Sequence, residues 1–333
     1  MDVFTILLDG LRAAVGPNAA IFAFLAMGLN IHYGYTGLNN FGQVGFMMVG
    51  AYGTSIAVVT WGWSLWLGIP VGLLAAAGFA LLLGIPTLRL RSDYFAITTI
   101  AAAEIIRFLI RSPASTDFTG GPFGLQGVAG AFRDLNPYPE TWEIRWRNFN
   151  FSNPDLWLLT VAWVSVVVIT IVVARMTSSP WGRVLRSIRE DEDAARSLGK
   201  NVVSYKMQAL IIGGMIGAFG GVIDVLQTGG AVPEGFRAET TFFAYAALIL
   251  GGAASRLGPV VGSMLFWFMR IGIESLVRDV SERSWPPDFL SDFLAGREGL
   301  ISITCMGLML VALMVYRPQG LLGNREEVVL DAR

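Results

Sequence analysis

The chain has 333 residues and a formal net charge of −1; 54% of its residues are hydrophobic, only 15% are charged, and its mean hydropathy is +0.57. A soluble domain carries roughly 25% charged residues, so this composition excludes a soluble globular protein and indicates a polytopic membrane protein. A single cysteine, Cys305, excludes an intramolecular disulfide, and a single histidine, His32, excludes a His-rich metal site.

Apolar segments long enough to cross a bilayer recur along the chain. About 20 apolar residues span the hydrocarbon core as a helix, and no Asp, Glu, Lys or Arg occurs between residues 13 and 88. The N-terminal MDVFTILLDGLRAAVG is interrupted by acids and predicts an interfacial helix rather than a signal peptide. The sequence therefore predicts an all-α, polytopic transmembrane helical bundle of about nine spans (eight to ten) in one domain, residues 1–333. The candidate spans are 19–36, 41–60, 65–88, 94–110, 156–174, 207–226, 241–254, 259–277 and 299–316.

Lysine and arginine are unevenly divided between the loops on the two sides of this predicted bundle. Cytoplasmic loops retain positive charge, so the richer side is predicted to be cytoplasmic. It holds residues 176–206 and the C-terminal tail, 317–333. The loop 112–155, where acids are more frequent, is then extracytoplasmic. The N-terminus is predicted to lie outside and the C-terminus in the cytoplasm.

Charged side chains also occur inside predicted spans. Glu104 and Arg107 are three residues apart and share a helix face, where they can pair. A charge at the centre of a membrane helix costs about 2.5–3.5 kcal/mol on insertion scales, so it usually faces the protein interior. We interpret the two as a structural intramembrane pair; the alternative is that Glu104 contacts the ammonium of a zwitterionic substrate. Arg270 and Glu274, four apart, are predicted to pair in the same way.

Two further patterns lie within the apolar segments. Gly213, Gly217 and Gly221 follow the spacing that lets membrane helices approach closely, and predict tight helix packing. Amide and hydroxyl side chains are grouped between residues 30 and 43. They could line a polar translocation path, or they could only hydrogen-bond neighbouring helices. The path candidates are Asn30, Tyr35, Asn39, Asn40 and Gln43.

The segment SSPWGRVLRSIREDEDAARSLGKNVVSYK, residues 178–206, is highly charged. Ser179 can cap a helix with Pro180 at its first position, where a missing N–H costs nothing. Asp191 or Asp193 could cap a second short helix that Gly199 would end. The sequence predicts a helix-turn-helix pair across one end of the bundle; the alternative is a solvated loop.

Motifs of catalysis are missing from the sequence. There is no Walker A motif, so any ATP hydrolysis must come from another chain. We also find no nucleophile elbow, metal-ligand cluster or convincing pair of catalytic carboxylates. We therefore expect a transport subunit rather than an enzyme, with no cofactor or metal bound by this chain.

Six blocks of sequence resemble known permeases. DAARSLG, residues 193–199, is similar to the EAA-x3-G coupling motif of bacterial ABC importer permeases. The blocks, in the same order, resemble the LivM-type permease subunit of high-affinity branched-chain amino acid transporters. They are GYTGLNNFGQVGFMMVGAY (34–52), LRLRSDYFAITTIAAAEIIRFLI (88–110), TGGPFGL (119–125), GRVLRSIREDEDAARSLGKNVVSYK (182–206), ILGGAASRLGPVVGS (249–263) and YRPQGLLG (316–323).

The resemblance implies an ABC importer of the bacterial inner membrane. Its expected partners are a homologous LivH-type permease subunit, two ABC ATP-binding subunits that use ATP and Mg, an extracytoplasmic solute-binding protein and membrane lipid, with no nucleic acid. Branched-chain or related amino acids are the implied substrates; urea or short amides are the alternative within the same family. A stand-alone secondary transporter is the alternative class. The residues predicted to couple the chain to the ATPase are Arg186, Arg189, Asp193, Ala194, Ala195 and Gly199.

Overall fold

The computed structural model describes residues 3–90, 92–282, 294, 296–317 and 319–323. The part of the predicted C-terminal tail beyond Gly323 lies outside these described residues. Helices make up most of the described chain, and they are α1 (Val3–Val15), α2 (Pro17–Leu29), α3 (Gln43–Ser55), α4 (Leu65–Thr87), α5 (Ser92–Arg111), α6 (Thr116–Thr119), α7 (Gly130–Asp134), α8 (Asn153–Ser178), α9 (Pro180–Glu190), α10 (Glu192–Ser197), α11 (Val202–Thr228), α12 (Glu239–Gly251), α13 (Gly258–Glu282) and α14 (Glu298–Tyr316).

Two of these helices continue as π-helix. Asn30–Tyr35 follows α2 without a break, and Ile56–Thr60 follows α3. π-Helical turns are rare and occur frequently at functional sites. Short 3-10 turns occupy Pro113–Ser115, Gly121–Phe123 and Pro233–Gly235.

Four short strands were not predicted. β1 (Leu125–Gln126) pairs antiparallel with β4 (Gly230–Ala231), and β2 (Ile144–Trp146) pairs antiparallel with β3 (Phe149–Phe151). Three of them lie in the predicted loop 112–155. The fold is thus mostly helical, as predicted, with small strand pairs among the connections.

Six helical segments of the described chain are long and apolar enough to cross a membrane, and a seventh is added if α1 and α2 form one span bent by 49°. The predicted nine spans are therefore not confirmed. α5 is not among the six because it carries four charged residues, Asp93, Glu104, Arg107 and Arg111. α12 has 13 residues, which is about 20 Å of helix, short of the roughly 30 Å of a hydrocarbon core.

The connections gather at two ends of the bundle. We call the end of the bundle where α9 and α10 lie the hairpin end. There, Arg256 Nη2 donates to Ser178 Oγ at 2.9 Å, and Leu321 N donates to the Leu250 carbonyl at 3.0 Å. At the opposite end, the loop end, Thr60 Oγ1 donates to the Phe118 carbonyl at 3.1 Å. These contacts place connections at two opposite ends of the bundle, and which end is cytoplasmic stays a prediction.

The glycines of α11 allow it to pack tightly between α2 and α3. A Cβ built on Gly213 would lie 2.6 Å from the Gly28 carbonyl oxygen of α2, and one on Gly221 would lie 2.0 Å from the Met47 carbonyl oxygen of α3. A side chain at either position would force these helices apart. The close packing predicted from the glycine spacing is confirmed, and it fixes the core that surrounds the π-helical segment Asn30–Tyr35.

Candidate coupling and translocation site

The charged segment forms two short helices, as predicted, but the Ser179 side chain does not cap α9, because its hydroxyl donates to the Met176 carbonyl at 2.6 Å. Pro180 is the first residue of α9 after Ser179. The Asp191 carboxylate accepts hydrogen bonds from the amides of Asp193 and Ala194, both at 2.9 Å, and so caps α10. Gly199 follows α10 with φ +77°, a conformation that favours glycine. We call α9 and α10 together the coupling hairpin.

One face of the coupling hairpin packs against the chain's own bundle. Leu185, Ile188 and Ala195 are buried, and the last two form an apolar cluster with Val202. Ala195 was predicted to contact a partner protein; that placement is wrong, because its methyl group fills the contact between α10, α9 and the start of α11. Ala195 therefore holds the hairpin together.

The other face of the coupling hairpin is open. Ala194 is exposed, Leu198 is 79% exposed, and the Asp193 side chain is 90% exposed even though it pairs with Arg196 at 3.2 Å. Leu198 is a large apolar residue that gains no burial in this chain. This face leaves Ala194 and Leu198, with charged neighbours around them, free to contact another protein.

The two arginines of α9 point to the bundle. Arg189 Nη1 donates to the Gly34 carbonyl, and the Arg186 guanidinium carbon lies 5.4 Å from the centroid of the Tyr35 ring. We predicted both at the rim of a partner contact. Both are half-buried in this chain, so their role at a partner contact stays a prediction. Within the chain, the two arginines connect the coupling hairpin to the π-helical segment Asn30–Tyr35.

The same π-helical segment carries buried polar side chains. Asn30 donates from Nδ2 to the Ser255 carbonyl at 2.8 Å and accepts from Ala254 N at 2.7 Å. His32 contacts the Leu210 carbonyl through Nε2 at 3.2 Å, while its Nδ1 faces Asn40 Nδ2 at 3.0 Å. A carbonyl only accepts and an amide N–H only donates, so this geometry fits a neutral imidazole protonated at Nε2.

Asn40 is the centre of this polar network. Its Oδ1 accepts from Gly42 N at 2.9 Å, its Nδ2 also donates to Gln43 Oε1 at 3.1 Å, and its carbonyl accepts from the Tyr245 hydroxyl at 3.1 Å. Gln43 Nε2 in turn donates to the Gly213 carbonyl at 3.1 Å. Asn40 and its partners thus connect four segments of the chain: the π-helical segment, α3, α11 and α12.

These contacts bear on the two alternatives left open for the path candidates. Asn30, Tyr35, Asn40 and Gln43 are all at most 1% exposed, and the contacts of the three amides are with neighbouring helices and turns. Asn39 differs, because it is half-buried and lines a cavity of about 260 Å³ at the hairpin end. A role of these residues in a path stays a prediction.

That cavity adjoins the coupling hairpin. Asn39 and Thr36 line one part of its wall, and Arg189, Glu192 and Lys206 line another. Glu192 and Lys206 form an ion pair between α10 and α11. A movement of the hairpin would therefore change the cavity.

The predicted pair in α5 forms and belongs to a larger ionic cluster. Arg107 Nε donates to Glu104 Oε2 at 3.0 Å, and Arg107 Nη1 also lies 3.7 Å from Glu234 Oε2. Glu234 has a second partner, because Arg111 Nη1 lies 3.2 Å from its Oε1. The cluster ties α5 to the connection between α11 and α12.

The second predicted pair does not form as expected. Glu274 contacts Arg278, at 3.5 Å, rather than Arg270. The Arg270 guanidinium carbon instead lies 4.8 Å from the centroid of the Trp267 ring and 5.6 Å from that of Phe243. A planar guanidinium can stack on an aromatic face, and that contact is the one found here.

Single replacements in the α5 pair should harm folding more than the double replacement. Glu104→Leu removes one of the two carboxylates that pair with Arg107, and Arg107→Leu leaves Glu104 without its partner. An unpaired charge is costly where the dielectric is low. We expect each to lower the folded yield several-fold. The double variant should recover at least half of the loss, because Glu234 keeps Arg111. Size-exclusion chromatography of detergent extracts measures the yield. Full yield of both single variants with uptake abolished would instead show a role in the path.

A bundle of long apolar helices around a buried polar break, with a charged two-helix hairpin at one end, indicates a multi-pass membrane protein. A family profile described as "Branched-chain amino acid transport system / permease component" matches residues 17–315. The chain belongs to this family and is the permease subunit of an ABC transporter, a transport subunit that works with ABC partner subunits.

Named relatives agree with the family assignment. The high-affinity branched-chain amino acid transport system permease protein LivM of Salmonella typhimurium is 32% identical over 92% of this chain and 69% of its own length. The probable LivM permease of Methanocaldococcus jannaschii is 23% identical over 92% of this chain and 91% of its own. The nucleoside ABC transporter permease protein NupC of Lactococcus lactis is 26% identical over 69% and 71%. No solved structure matches the chain.

Proposed function

We propose that the chain is the permease of an importer for branched-chain amino acids in the bacterial inner membrane. Its relatives at 32% identity are named as permease proteins of high-affinity branched-chain amino acid transport systems. Two ABC ATP-binding subunits hydrolyse Mg·ATP below it, and an extracytoplasmic solute-binding protein delivers the solute at the loop end.

The observation that carries this proposal is the two-faced coupling hairpin. Its outer face presents Ala194 and Leu198 to a cleft of the ATP-binding subunit, and its inner face contacts the segment Asn30–Tyr35 through Arg186 and Arg189. ATP-driven closure of the nucleotide-binding subunits moves the hairpin. Its contacts with the π-helical segment then favour either outward or inward access, since a switch requires contacts that differ between the two states.

A second, LivH-type permease subunit packs against the face that carries the α5 ionic cluster. The side chains of Glu104 and Glu234 are 36% and 39% exposed in this single chain. Charges at membrane depth face protein or a water-filled cavity rather than lipid. The face is therefore suited to enclose the path between two permease subunits, while lipid covers the apolar surface elsewhere.

We further propose nine crossings, with α5 and α12 among them. The connection between α11 and α12 contributes buried, non-helical backbone at Gly230, Ala231 and Pro233, and Leu125 of β1 pairs with Ala231. Non-helical backbone is tolerated at membrane depth where protein buries it. This connection together with α12 completes a crossing that the 13 residues of α12 cannot make alone.

Cysteine labelling tests the orientation of these crossings. In a Cys305→Ser background, Lys200→Cys reports the hairpin end and Thr141→Cys the loop end, both at exposed positions. A membrane-impermeant maleimide should label Thr141→Cys in intact cells and Lys200→Cys only after the cells are opened, with Cys305→Ser alone as the unlabelled control. The reverse pattern would contradict the proposed orientation.

The substrate is tested by transport competition. Cells that express the chain with its transporter partners should take up radiolabelled leucine, and excess isoleucine or valine should suppress the uptake. Excess urea and excess uridine should leave it unchanged. No leucine uptake above that of cells without the chain, together with uptake of radiolabelled uridine or urea, would reject branched-chain amino acids as substrates while leaving the ABC permease assignment in place.

A further inference from the structure

Four aromatic side chains form a cluster beside the π-helical segment Asn30–Tyr35. The ring centroid of Tyr245 lies 5.8 Å from that of Tyr33 and 4.8 Å from that of Phe41. The Phe41 centroid in turn lies 5.6 Å from that of Phe242. Rings whose centroids are about 4.5–7 Å apart attract each other. We call these four residues the aromatic cluster.

Two members of the aromatic cluster expose their rings in this single chain. Tyr33 is 39% exposed, whereas the other residues of the described segment Asn30–Tyr35 are buried. Phe242 of α12 is 49% exposed. Tyr245 is buried, and its hydroxyl donates to the Asn40 carbonyl at 3.1 Å. The cluster therefore joins the buried polar network on one side and presents two accessible rings on the other.

The aromatic cluster and the α5 ionic cluster lie along the same seam, where α5 meets α12 and the connection before it. Phe41 N donates to Thr99 Oγ1 of α5 at 3.1 Å, and the Phe41 ring contacts Phe242 of α12. Arg107 of α5 pairs with Glu234 of the connection. Charges at membrane depth face protein or a water-filled cavity rather than lipid. Protein or water, and not lipid, is therefore expected to cover this seam.

The coupling hairpin contacts the residues that follow Tyr33 in the same helical turn. Arg189 Nη1 donates to the Gly34 carbonyl, and the Arg186 guanidinium carbon lies 5.4 Å from the centroid of the Tyr35 ring. Gly34 and Tyr35 are buried, so their positions depend on this packing. A movement of the hairpin would therefore displace the exposed Tyr33 ring.

We propose that the aromatic cluster forms one wall of the solute path. The rings of Tyr33 and Phe242 contact the apolar side chain of the solute as it passes, and the coupling hairpin moves Tyr33. Small-molecule sites are lined predominantly by apolar and aromatic side chains, which suits a branched aliphatic group. The inference rests on the proposed function, because it places the path between two permease subunits, and it names the residues that the solute's side chain touches.

Cysteine accessibility in the assembled transporter tests the proposal. In a Cys305→Ser background, Tyr33→Cys and Phe242→Cys replace the two exposed rings. Val167→Cys, at a 55% exposed position of α8, is the matched control for a lipid-covered surface. The thiolate is the reactive form, and a thiol in apolar surroundings stays protonated. A water-soluble methanethiosulfonate should therefore label both cluster variants at least about tenfold faster than Val167→Cys.

Two further results are expected from the same variants. Leucine uptake should fall in proportion to the labelled fraction, because the attached group fills the path. The labelling rate of Tyr33→Cys should differ between nucleotide-free transporter and transporter trapped with ATP and vanadate, because the hairpin has moved.

The outcomes separate a wall of the path from a covered surface. Labelling of the isolated chain in detergent that disappears in the assembled transporter would show that lipid or the partner subunit covers the rings, and would overturn the proposal. Complete labelling with unchanged uptake would overturn it as well, and equal rates in the two nucleotide states would overturn the link from the hairpin to Tyr33. Labelling needs no transported solute, so uptake of another solute in place of leucine would reject the substrate assignment and leave this test intact.

Discussion

Replacing Leu198 by aspartate should reduce uptake at least about tenfold and release the ATP-binding subunits from the permease. A hot-spot residue at the centre of an interface contributes about 2 kcal/mol or more, and about 1.4 kcal/mol corresponds to a tenfold change in affinity. Leu198 is 79% exposed in this chain, so a charge there costs nothing in the permease itself. Insertion and folded yield should therefore match the wild type. Co-purification and uptake are measured on the same membranes.

Leu257→Asp is the matched control for this variant. Leu257 is a 56% exposed leucine in the connection between α12 and α13, outside the coupling hairpin. The control should keep both the ATPase and uptake. If Leu198→Asp retains the ATPase and transports normally, the hairpin is a solvated loop and the coupling assignment is wrong.

Replacing Asn40 by alanine should destabilise the permease rather than merely slow transport. The change removes the acceptor for Gly42 N and the donor to His32 Nδ1 and Gln43 Oε1, so it leaves several buried groups unpaired. At about 1–3 kcal/mol for each unpaired group, we expect the melting temperature to fall by about 6 °C or more. The melting of the detergent-solubilised chain, followed by circular dichroism, measures this.

Asn39→Ala is the neighbouring control. Asn39 is half-buried and lines the hairpin-end cavity, so its loss should change the melting temperature little. If the Asn40→Ala chain melts like the wild type and loses only uptake, the structural role is contradicted. That result would instead favour a role of Asn40 in the translocation path.

The parts of the site that local chemistry determines were predictable from sequence. Pro180, Asp191 and Gly199 each act within a few residues of the chain, as first helical residue, cap and terminator, and all three are found in these places. The close approach of α11 was likewise predictable from the spacing of its glycines. The contact between Glu104 and Arg107 needed only one turn of helix.

Hydrogen bonds between residues far apart in the chain could not be predicted from the sequence. Asn40 meets Tyr245, and Gln43 meets Gly213, across 205 and 170 residues, and nothing in either segment names the other. The six residues of α10 are too few to show which alanine faces inward, so Ala195 was misplaced.

The predicted number of spans is not confirmed, for a related reason. Apolar content alone does not show that α12 stops after 13 residues, or that the chain before it forms a strand pair. The two-residue strands of that pair are also too short to give an alternating pattern.

Leucine accumulation in proteoliposomes tests the central claim most directly. The chain is purified with its partner subunits and reconstituted with Mg·ATP available to the ATP-binding subunits and with solute-binding protein on the opposite side. We predict accumulation that requires ATP, survives ionophores that collapse every ion gradient, and is lost in the Leu198→Asp variant. Accumulation by the chain alone, without ATP and abolished by ionophores, would contradict the account and identify a secondary transporter.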